Sequence, residues 1–548
     1  PFMAVLSNPE IVDTNFFLNK FFKSLSFLEI YTKQQFLFVL GLIVFGLLVI
    51  SLSFKALTTY LQYKFVTMRE FTVGKRLMEA YLNQPYSWFL NRNSAELGKS
   101  ILSEVGIIIG KGLTPMMNLI THSIIAILLL TLLIYNDPKL ALMIGIIIIS
   151  IYGIIYTFSR SLLQKAGKER LKENEHRFTA LSEAFGAIKD IKVGGLEDTY
   201  VNRFAGPAQR FAKITTFGQI LSELPRYALE LIAFGGMLLL TLYIMKQSSM
   251  FTEVIPIISL YVLAGYRLMP SLQNIYVSIT NLRFLSAAVD SLYKELNQLE
   301  GYDREKGEEN IILDKAISLK NIHYNYPNSS RTALKDLNLD IPAFSTVGLV
   351  GKTGSGKTTT IDIILGLLQA QKGKLEIDQK VLTSKNIRSW QNNIGYVPQH
   401  IYLADDTIEA NIAFGFGDKI IDQTKVERAA KIANLHDFII NELPDKYQTN
   451  VGERGVRLSG GQRQRIGIAR AVYNEPKVLI LDEATSALDQ VTEKTVMDSV
   501  NKLHKKVTII IITHRLTTIK NCDKVFLLED GKLISSGKFE EIKELQDL

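Results

Sequence analysis

STVGLVGKTGSGKT, residues Ser345–Thr358, decides the fold of the domain that carries it. Its first six residues, STVGLV, read as a buried strand. The next eight fit the spacing G-x-x-x-x-G-K-[ST], and Thr359–Leu368 continue as an apolar helical stretch. Strand, glycine loop and helix in that order form the setting in which a backbone wraps a phosphate chain. Gly351, Gly354 and Gly356 let N–H groups close around β- and γ-phosphates, and the helix N-terminus behind them favours anionic charge. Lys357 is placed to neutralise phosphate, and Thr358 to ligate Mg²⁺. A Gly-rich turn with no ligand fits the same letters, so the loop alone does not settle the matter.

Three further stretches downstream complete the pattern. VLILD (Val478–Asp482) is a buried-strand run ending in the carboxylate expected to hold Mg²⁺. Glu483 follows at once, placed to orient or deprotonate an attacking water. VTIIIIT (Val507–Thr513) delivers His514 at its end, within reach of a γ-phosphate. Between the phosphate loop and VLILD, LSGGQ (Leu458, Ser459, Gly460, Gly461, Gln462) opens the helical run QRQRIGIARAV, a second helix start that favours an anion. The domain already has one phosphate loop, so this second start points to the nucleotide of another chain. A solvated Asp-Glu turn, a structural histidine and an unliganded glycine cap are the bland alternatives. They lose ground because the phosphate loop lies upstream in the same domain.

The other half of the 548 residues is of different composition. Apolar residues make up 47% of the chain and are concentrated there. Charge-free runs span Gln34–Phe54, Gly112–Asn136 and Leu140–Ser159, each near the roughly 20 residues that cross about 30 Å of hydrocarbon. Two interrupted runs follow, Leu224–Met245 with Arg226 and Glu230, and Val254–Asn281 with Arg267. Pro1–Ser7 reads as the tail of a further span, making six in the intact protein. Lys55–Lys111 holds eight Lys or Arg and Arg160–Lys213 eleven, against one in each of the turns Asp137–Lys139 and Lys246–Glu253. Both basic connections therefore belong in the cytoplasm, with breaks expected near Asn91–Ser94 and Gly194–Gly195. The same bias explains the net charge of +8 without nucleic acid. A lone cysteine, Cys522, excludes a disulfide framework within the chain. The expected domains are 1–294 in the membrane, a polar linker at 295–314 and an α/β ATPase domain at 315–548.

Walker A, LSGGQ, Walker B with its glutamate and the switch histidine stand here in one order, and the chain resembles the ATP-binding cassette family. Gln399 in GYVPQ, Asp489 in SALD and VGERG (Val451–Gly455) extend the match. Tyr326 resembles the aromatic that stacks on adenine, with Tyr324 close by as a rival. The resemblance implies an exporter-type helical transmembrane domain fused to an α/β P-loop ATPase. It implies ATP and Mg²⁺ as cofactors, and assigns Glu483, His514 and Gln399 to catalysis. Tyr326, Gly351, Thr353, Gly354, Ser355, Gly356, Lys357, Thr358, Thr359 and Asp482 would bind ATP. Thr358, Gln399 and Asp482 would hold the metal, and LSGGQ with Asp489 would act on the partner's ATP. One cassette per chain implies a dimer, most simply of two copies, in the bacterial inner membrane with its ATPase domain in the cytoplasm. The two cytoplasmic breaks resemble coupling helices.

The membrane half resembles bacterial flippases of lipid-linked oligosaccharides, in QKAGKERLKENEHRF (Gln164–Phe178), LPRYALE (Leu224–Glu230) and YRLMPS (Tyr266–Ser271). An arginine inside a span costs several kcal/mol unless it faces water, a partner or a ligand. Arg267 is such a residue. With Lys55 and Arg226 it would suit an anionic pyrophosphate headgroup. The bland alternatives are snorkelling for Lys55 and pairing of Arg226 with Glu230 one turn on. Export of another lipid, a peptide or a drug is the alternative, and an ATP-gated channel or regulator a more distant one.

Overall fold

The structure, a computed structural model, describes residues 11–24, 32–136, 138–247, 251–299, 310–327, 329, 331–415, 421–503, 505–513 and 515–542. Pro1–Ser7, residues 300–309 of the expected linker and His514 lie outside the described residues. The chain divides into two compact units: Pro1–Leu82 with Asn93–Gly301, and Asn83–Arg92 with Tyr302–Leu548.

Long helices build the first unit. They run over Lys33–Leu82, Pro138–Gly186, Glu197–Gln247 and Phe251–Leu299, with Thr114–Asn136 ending a path that starts at Ser94. At 1.5 Å per residue a 50-residue helix is about 75 Å long, more than twice the hydrocarbon thickness. Lys33–Leu82 and Ser94–Tyr135 are, among the described residues, long and apolar enough to cross a membrane. The expected breaks have a structural form. Lys33–Leu82 stops before a short helix at Tyr86–Phe89, and Asn93 then caps the helix from Ser94. Ile188–Gly194 ends on Gly195 at φ 61°, a left-handed position that glycine adopts without penalty. The last long helix continues to Leu299, and Glu295 accepts from the Tyr81 hydroxyl at 2.7 Å. Close helix contact is built on small residues: a Cβ on Gly167 would stand 2.0 Å from the Phe284 carbonyl oxygen.

Between Ser94 and Asn136 the helix is π-wound at Ser100–Glu104 and at Ile109–Leu113. Such turns shift which side chains face inward. Glu104 ends the first of them and is buried, where it accepts from Arg170 Nη2 at 2.8 Å and Asn174 Nδ2 at 2.7 Å.

Two sheets form the second unit. β1 (Ala316–Asn325), β2 (Thr332–Pro342), β4 (Lys372–Ile377) and β5 (Lys380–Val381) pair antiparallel in the order β2-β1-β4-β5. β3 (Thr346–Val350), β6 (Ile394–Val397), β7 (Val478–Asp482), β8 (Thr508–Ile512), β9 (Lys524–Glu529) and β10 (Lys532–Gly537) form the order β10-β9-β3-β8-β7-β6. In that sheet β9, β3, β8, β7 and β6 run parallel, and β10 is antiparallel to β9. Every residue of β3, β7 and β8 is buried, as expected of parallel strands covered on both faces. Register aligns Leu349 and Asp482 with Ile512, and Val397 with Leu481. The C-terminal ends of β3, β8, β7 and β6 therefore lie side by side, where α/β sheets place their ligands.

Candidate nucleotide site

The loop after β3 is held by backbone geometry that side chains would destroy. Gly351 and Gly356 have φ of 148° and 102°. A Cβ on Gly351 would stand 2.2 Å from the Leu528 carbonyl oxygen, and one on Gly356 would stand 3.0 Å from that of Ala333. Lys357 opens the helix Lys357–Ile364 and is buried. Its Nζ donates to the carbonyl oxygens of Gly351 at 2.6 Å and Lys352 at 3.0 Å. Burial lowers its ammonium below the usual lysine range, against the pull of Glu483 and Asp482. Ser355 Oγ is buried and, among the described residues, has no hydrogen-bond partner, an orphan that suits a phosphate or metal-bound oxygen. Thr353 and Thr358 are exposed on the loop and the first helical turn, and Thr359 is buried. These residues fit a polyphosphate: a glycine-shaped backbone loop, one buried ammonium and an unmatched hydroxyl.

Strand register brings the acids to the same edge. Asp482 ends β7, buried, and its carboxyl is raised by burial and then by Glu483, while Tyr396 and Lys357 oppose the shift. Glu483 sits at φ 49°, an uncommon backbone for a non-glycine residue, with its N–H bonded to the Ile512 carbonyl at 2.9 Å. Gln399, two residues past β6, donates from Nε2 to Glu483 Oε2 at 2.8 Å. Glutamine and glutamate, 84 positions apart in the chain, are thus in direct contact. Among the described residues no three His, Cys, Asp or Glu form a metal cluster. A cation here would rest on Asp482, Thr358 and Gln399 together with phosphate oxygens, the oxygen-rich manner that suits Mg²⁺.

The two tyrosines separate by burial. Tyr324 is 4% exposed and packs edge-on against Tyr326 at 5.2 Å, whereas Tyr326 is half-buried with its hydroxyl 3.0 Å from Thr359 Oγ1. Tyr324 is a core residue, and Tyr326 is the more accessible of the two.

Ser459 caps the helix Gly460–Val472 in a reciprocal box: Gln462 N donates to Ser459 Oγ at 3.2 Å, and Ser459 N to Gln462 Oε1 at 2.7 Å. Leu458 is buried beneath it. Asp489 caps the helix Gln490–Asn501, accepting from Thr492 N at 3.0 Å, and backbone donors hold its carboxyl below the usual range.

Sequence reasoning missed the residues that join these pieces. Gln464 donates from Nε2 to Ser486 Oγ at 2.9 Å and accepts from Ala487 N at 2.9 Å. Arg515 Nη2 donates to the carbonyls of Ser486 and Leu488 at 3.1 and 3.2 Å. Its Nη1 pairs with the buried Glu493, which also accepts from Thr485 and Thr518. The loop from Glu483 to Asp489 is therefore gripped on one side by the LSGGQ helix and on the other by the residue after His514. Proximity to the motifs (Gln464 two places after Gln462, Arg515 one place after His514) was the available signal.

In the first unit Arg226 Nε pairs with Glu230 Oε1 at 2.8 Å, the local pairing that the spacing allowed. Lys55 is exposed on Lys33–Leu82. Arg267 lies within Phe251–Leu299, and its side chain lies outside the described residues.

Comparison with known proteins agrees with this division. The ABC transporter family model matches residues 334–486, and the ABC transporter transmembrane region matches 14–269. A curated relative, the ATP-dependent lipid A-core flippase of Ralstonia nicotianae, is 29% identical over 481 residues, covering 85% of this chain and 78% of its own. The alpha-hemolysin translocation ATP-binding protein of Escherichia coli is also 29% identical, over 90% of this chain and 69% of its own. A bacterial Atm1-family ABC exporter solved with ATP bound superposes with a TM-score of 0.78, covering 100% of this chain and 95% of that one, at 22% identity. That last likeness speaks to the fold.

Proposed function

The chain belongs to the ABC transporter family, and on that premise we propose that it flips a phosphate-bearing glycolipid, a polyprenyl-pyrophosphate oligosaccharide, from the inner to the outer leaflet. It is an ATP-hydrolysing exporter, a multi-pass protein of the inner membrane with its ATPase unit in the cytoplasm. The observation that carries the substrate class is that a relative named as a lipid A-core flippase matches 85% of the chain, membrane unit included. Lipid A-core and polyprenyl-linked glycans are both bulky glycolipids with anionic phosphate near the lipid. The residue stretches of the membrane half that resemble oligosaccharide flippases favour the polyprenyl member. Arg267 is the foremost candidate for the headgroup, because Arg226 is already tied to Glu230. A second reading, export of a peptide or protein, is favoured by the likeness to the alpha-hemolysin translocation protein.

In the proposed mechanism Tyr326 stacks on adenine, and Gly351, Thr353, Gly354, Ser355, Gly356, Lys357, Thr358 and Thr359 surround the phosphates. Lys357 exchanges the carbonyls of Gly351 and Lys352 for phosphate oxygens. Thr358, Asp482 and Gln399 would hold Mg²⁺, which when bound would supply positive charge to offset that of the phosphates. Glu483 takes the proton of the attacking water, and Gln399, bonded to it here, positions that carboxylate. His514 contacts the γ-phosphate. LSGGQ and Asp489 face the nucleotide of a second copy, so two chains complete two sites.

The test reconstitutes wild type, Glu483→Gln and Arg267→Ala in liposomes, scoring ATPase rate and the leaflet exposure of a polyprenyl-pyrophosphate oligosaccharide. Exposure that needs ATP and is lost in Glu483→Gln is expected. Arg267→Ala should lose exposure while keeping basal ATPase. ATPase without glycan movement in the wild type would send the substrate back to peptides and other lipids.

A further inference from the structure

The phosphate loop has a cation beside it that no motif contains. Arg331 directly precedes β2 and lies outside every recognised stretch of the ATP half. Three backbone segments interlock at this point. Gly531 N donates to the Ser355 carbonyl at 3.1 Å, and Lys335 N donates to that of Gly531 at 2.8 Å. A Cβ on Gly531 would stand 2.5 Å from the Ala333 carbonyl oxygen. The start of β2, the β9–β10 turn and the phosphate loop are therefore in backbone contact, and the side chains they carry at this point are fixed relative to one another.

On that frame, Arg331 Nη2 donates to Asp530 Oδ1 at 2.9 Å, and its Nη1 comes within 3.8 Å of where a Cβ of Gly354 would stand. The same turn carries Glu529, whose Oε1 is 3.6 Å from Lys352 Nζ. One turn thus supplies two carboxylates, each holding a cation next to the loop. An exposed ion pair is worth little to stability, so stability does not explain why a guanidinium should stand here. Its site does. Gly354 offers no side chain, and the guanidinium stands beside the opening that this leaves. Guanidinium is also the side-chain group best matched to phosphate oxygens.

We infer that Arg331 is a further nucleotide-binding residue, a cation on the rim of the phosphate loop that Asp530 positions for the polyphosphate. This rests on the proposed reading of Gly351–Thr358 as the phosphate site. Its contribution then grows with the number of phosphates, and lysine replaces it in part because charge survives while the two-pronged geometry does not.

The experiment measures equilibrium binding of ATP, ADP and adenosine to the full chain in detergent, on a Glu483→Gln background that halts turnover. Arg331→Ala should weaken ATP about five- to tenfold, ADP less and adenosine not at all, as expected for loss of an exposed charged hydrogen bond. Arg331→Lys should recover part of the loss, and the melting temperature should not move. Lys357→Ala is the control for the site. Wild-type ATP affinity in Arg331→Ala, with binding lost in Lys357→Ala, overturns the proposal and leaves the site standing. Equal weakening of ATP and adenosine also overturns it, because a disturbed fold would act on both. Wild-type affinity in both variants overturns the phosphate-site reading and the proposal with it.

Discussion

The helix Lys33–Leu82 and the strands β3, β7 and β8 are written in the same apolar residues and use them in opposite directions. On the helix, Phe38 is 70% exposed, Ile50 67% and Phe54 66%. On the strands, Ile480 and Ile510 are 0% exposed. The polar inventory is also reversed. Beyond its spans, the membrane unit buries Lys99, Glu104, Arg170, Glu173 and Asn174 among its helices. The ATPase unit displays most of its charge and buries it chiefly at the nucleotide edge and in the Glu493 network. Burial of apolar surface follows the solvent. Where the surroundings are hydrocarbon, apolar groups gain nothing by turning inward, and association must come from packing and polar contacts. Where they are water, apolar groups form the core.

The largest expected effect tests the polar side of this contrast. Arg170 and Glu104 side chains are 3% and 6% exposed, and Arg170 Nε and Nη1 are buried without a partner among the described residues. Removing one member of a buried pair costs about 3–5 kcal/mol, because the other charge is left uncompensated. Arg170→Ala should therefore lower the melting temperature of the detergent-solubilised chain by several degrees. The double change Arg170→Met with Glu104→Leu should recover much of it. An unchanged melting temperature for Arg170→Ala would mean that water reaches the pair, and the contrast between units would be weaker than drawn.

The two units also differ in how far the sequence discloses them. In the ATPase unit, Gly351, Lys357, Asp482, Glu483 and Leu458–Gln462 were legible because their motifs tie spacing to backbone form. Parallel register then brings distant strand ends together. The tyrosines could not be told apart by sequence, since both lie on one strand end and only burial distinguishes them. Gln464, Glu493 and Arg515 act through tertiary contacts and carry no motif of their own. In the membrane unit the helices and their cytoplasmic breaks were legible from charge-free length and loop charge. The partner of Glu104 was not: Arg170 is 66 positions away, and helical period says nothing about which helix a face meets. The π turns that set its facing have no signature in the residues. Arg226 with Glu230 was foreseeable, because four residues is one helical turn.

A smaller effect is expected from a carboxylate that the ATPase unit buries. Asp362, on the helix behind the phosphate loop, is raised to about 6 by burial and then by Asp482. The folded chain therefore holds this proton more tightly than the unfolded chain, whose aspartate titrates near 3.8. The cost of ionising it is absent below pH about 4, grows between 4 and 6, and is complete above 6. Asp362→Asn should stabilise the nucleotide-free protein above pH 6 by roughly 1–3 kcal/mol and do nothing at pH 4. Melting temperatures taken across pH 4–8 read this directly. A difference that does not change with pH would show that Asp362 is solvated in the folded chain, and the ATPase unit would then be more uniformly dry only at its apolar core.

The smallest effect belongs to the one pair in the membrane unit that sequence foresaw. Arg226 and Glu230 are half exposed and lie on one helix, so their contact ties no two elements together. Arg226→Ala should leave the melting temperature where it was, in contrast to Arg170→Ala, although both remove an arginine bonded to a glutamate at 2.8 Å. The same variant sorts the two roles that remain for it. If the pair is a local tie, translocation survives in Arg226→Ala and in the double change with Glu230→Ala. If the guanidinium exchanges Glu230 for a phosphate during transport, translocation falls in Arg226→Ala with stability untouched, and Arg226→Lys restores part of it. Loss of transport together with loss of stability would refute both accounts, because it would place Arg226 among the buried charges that hold the helices together.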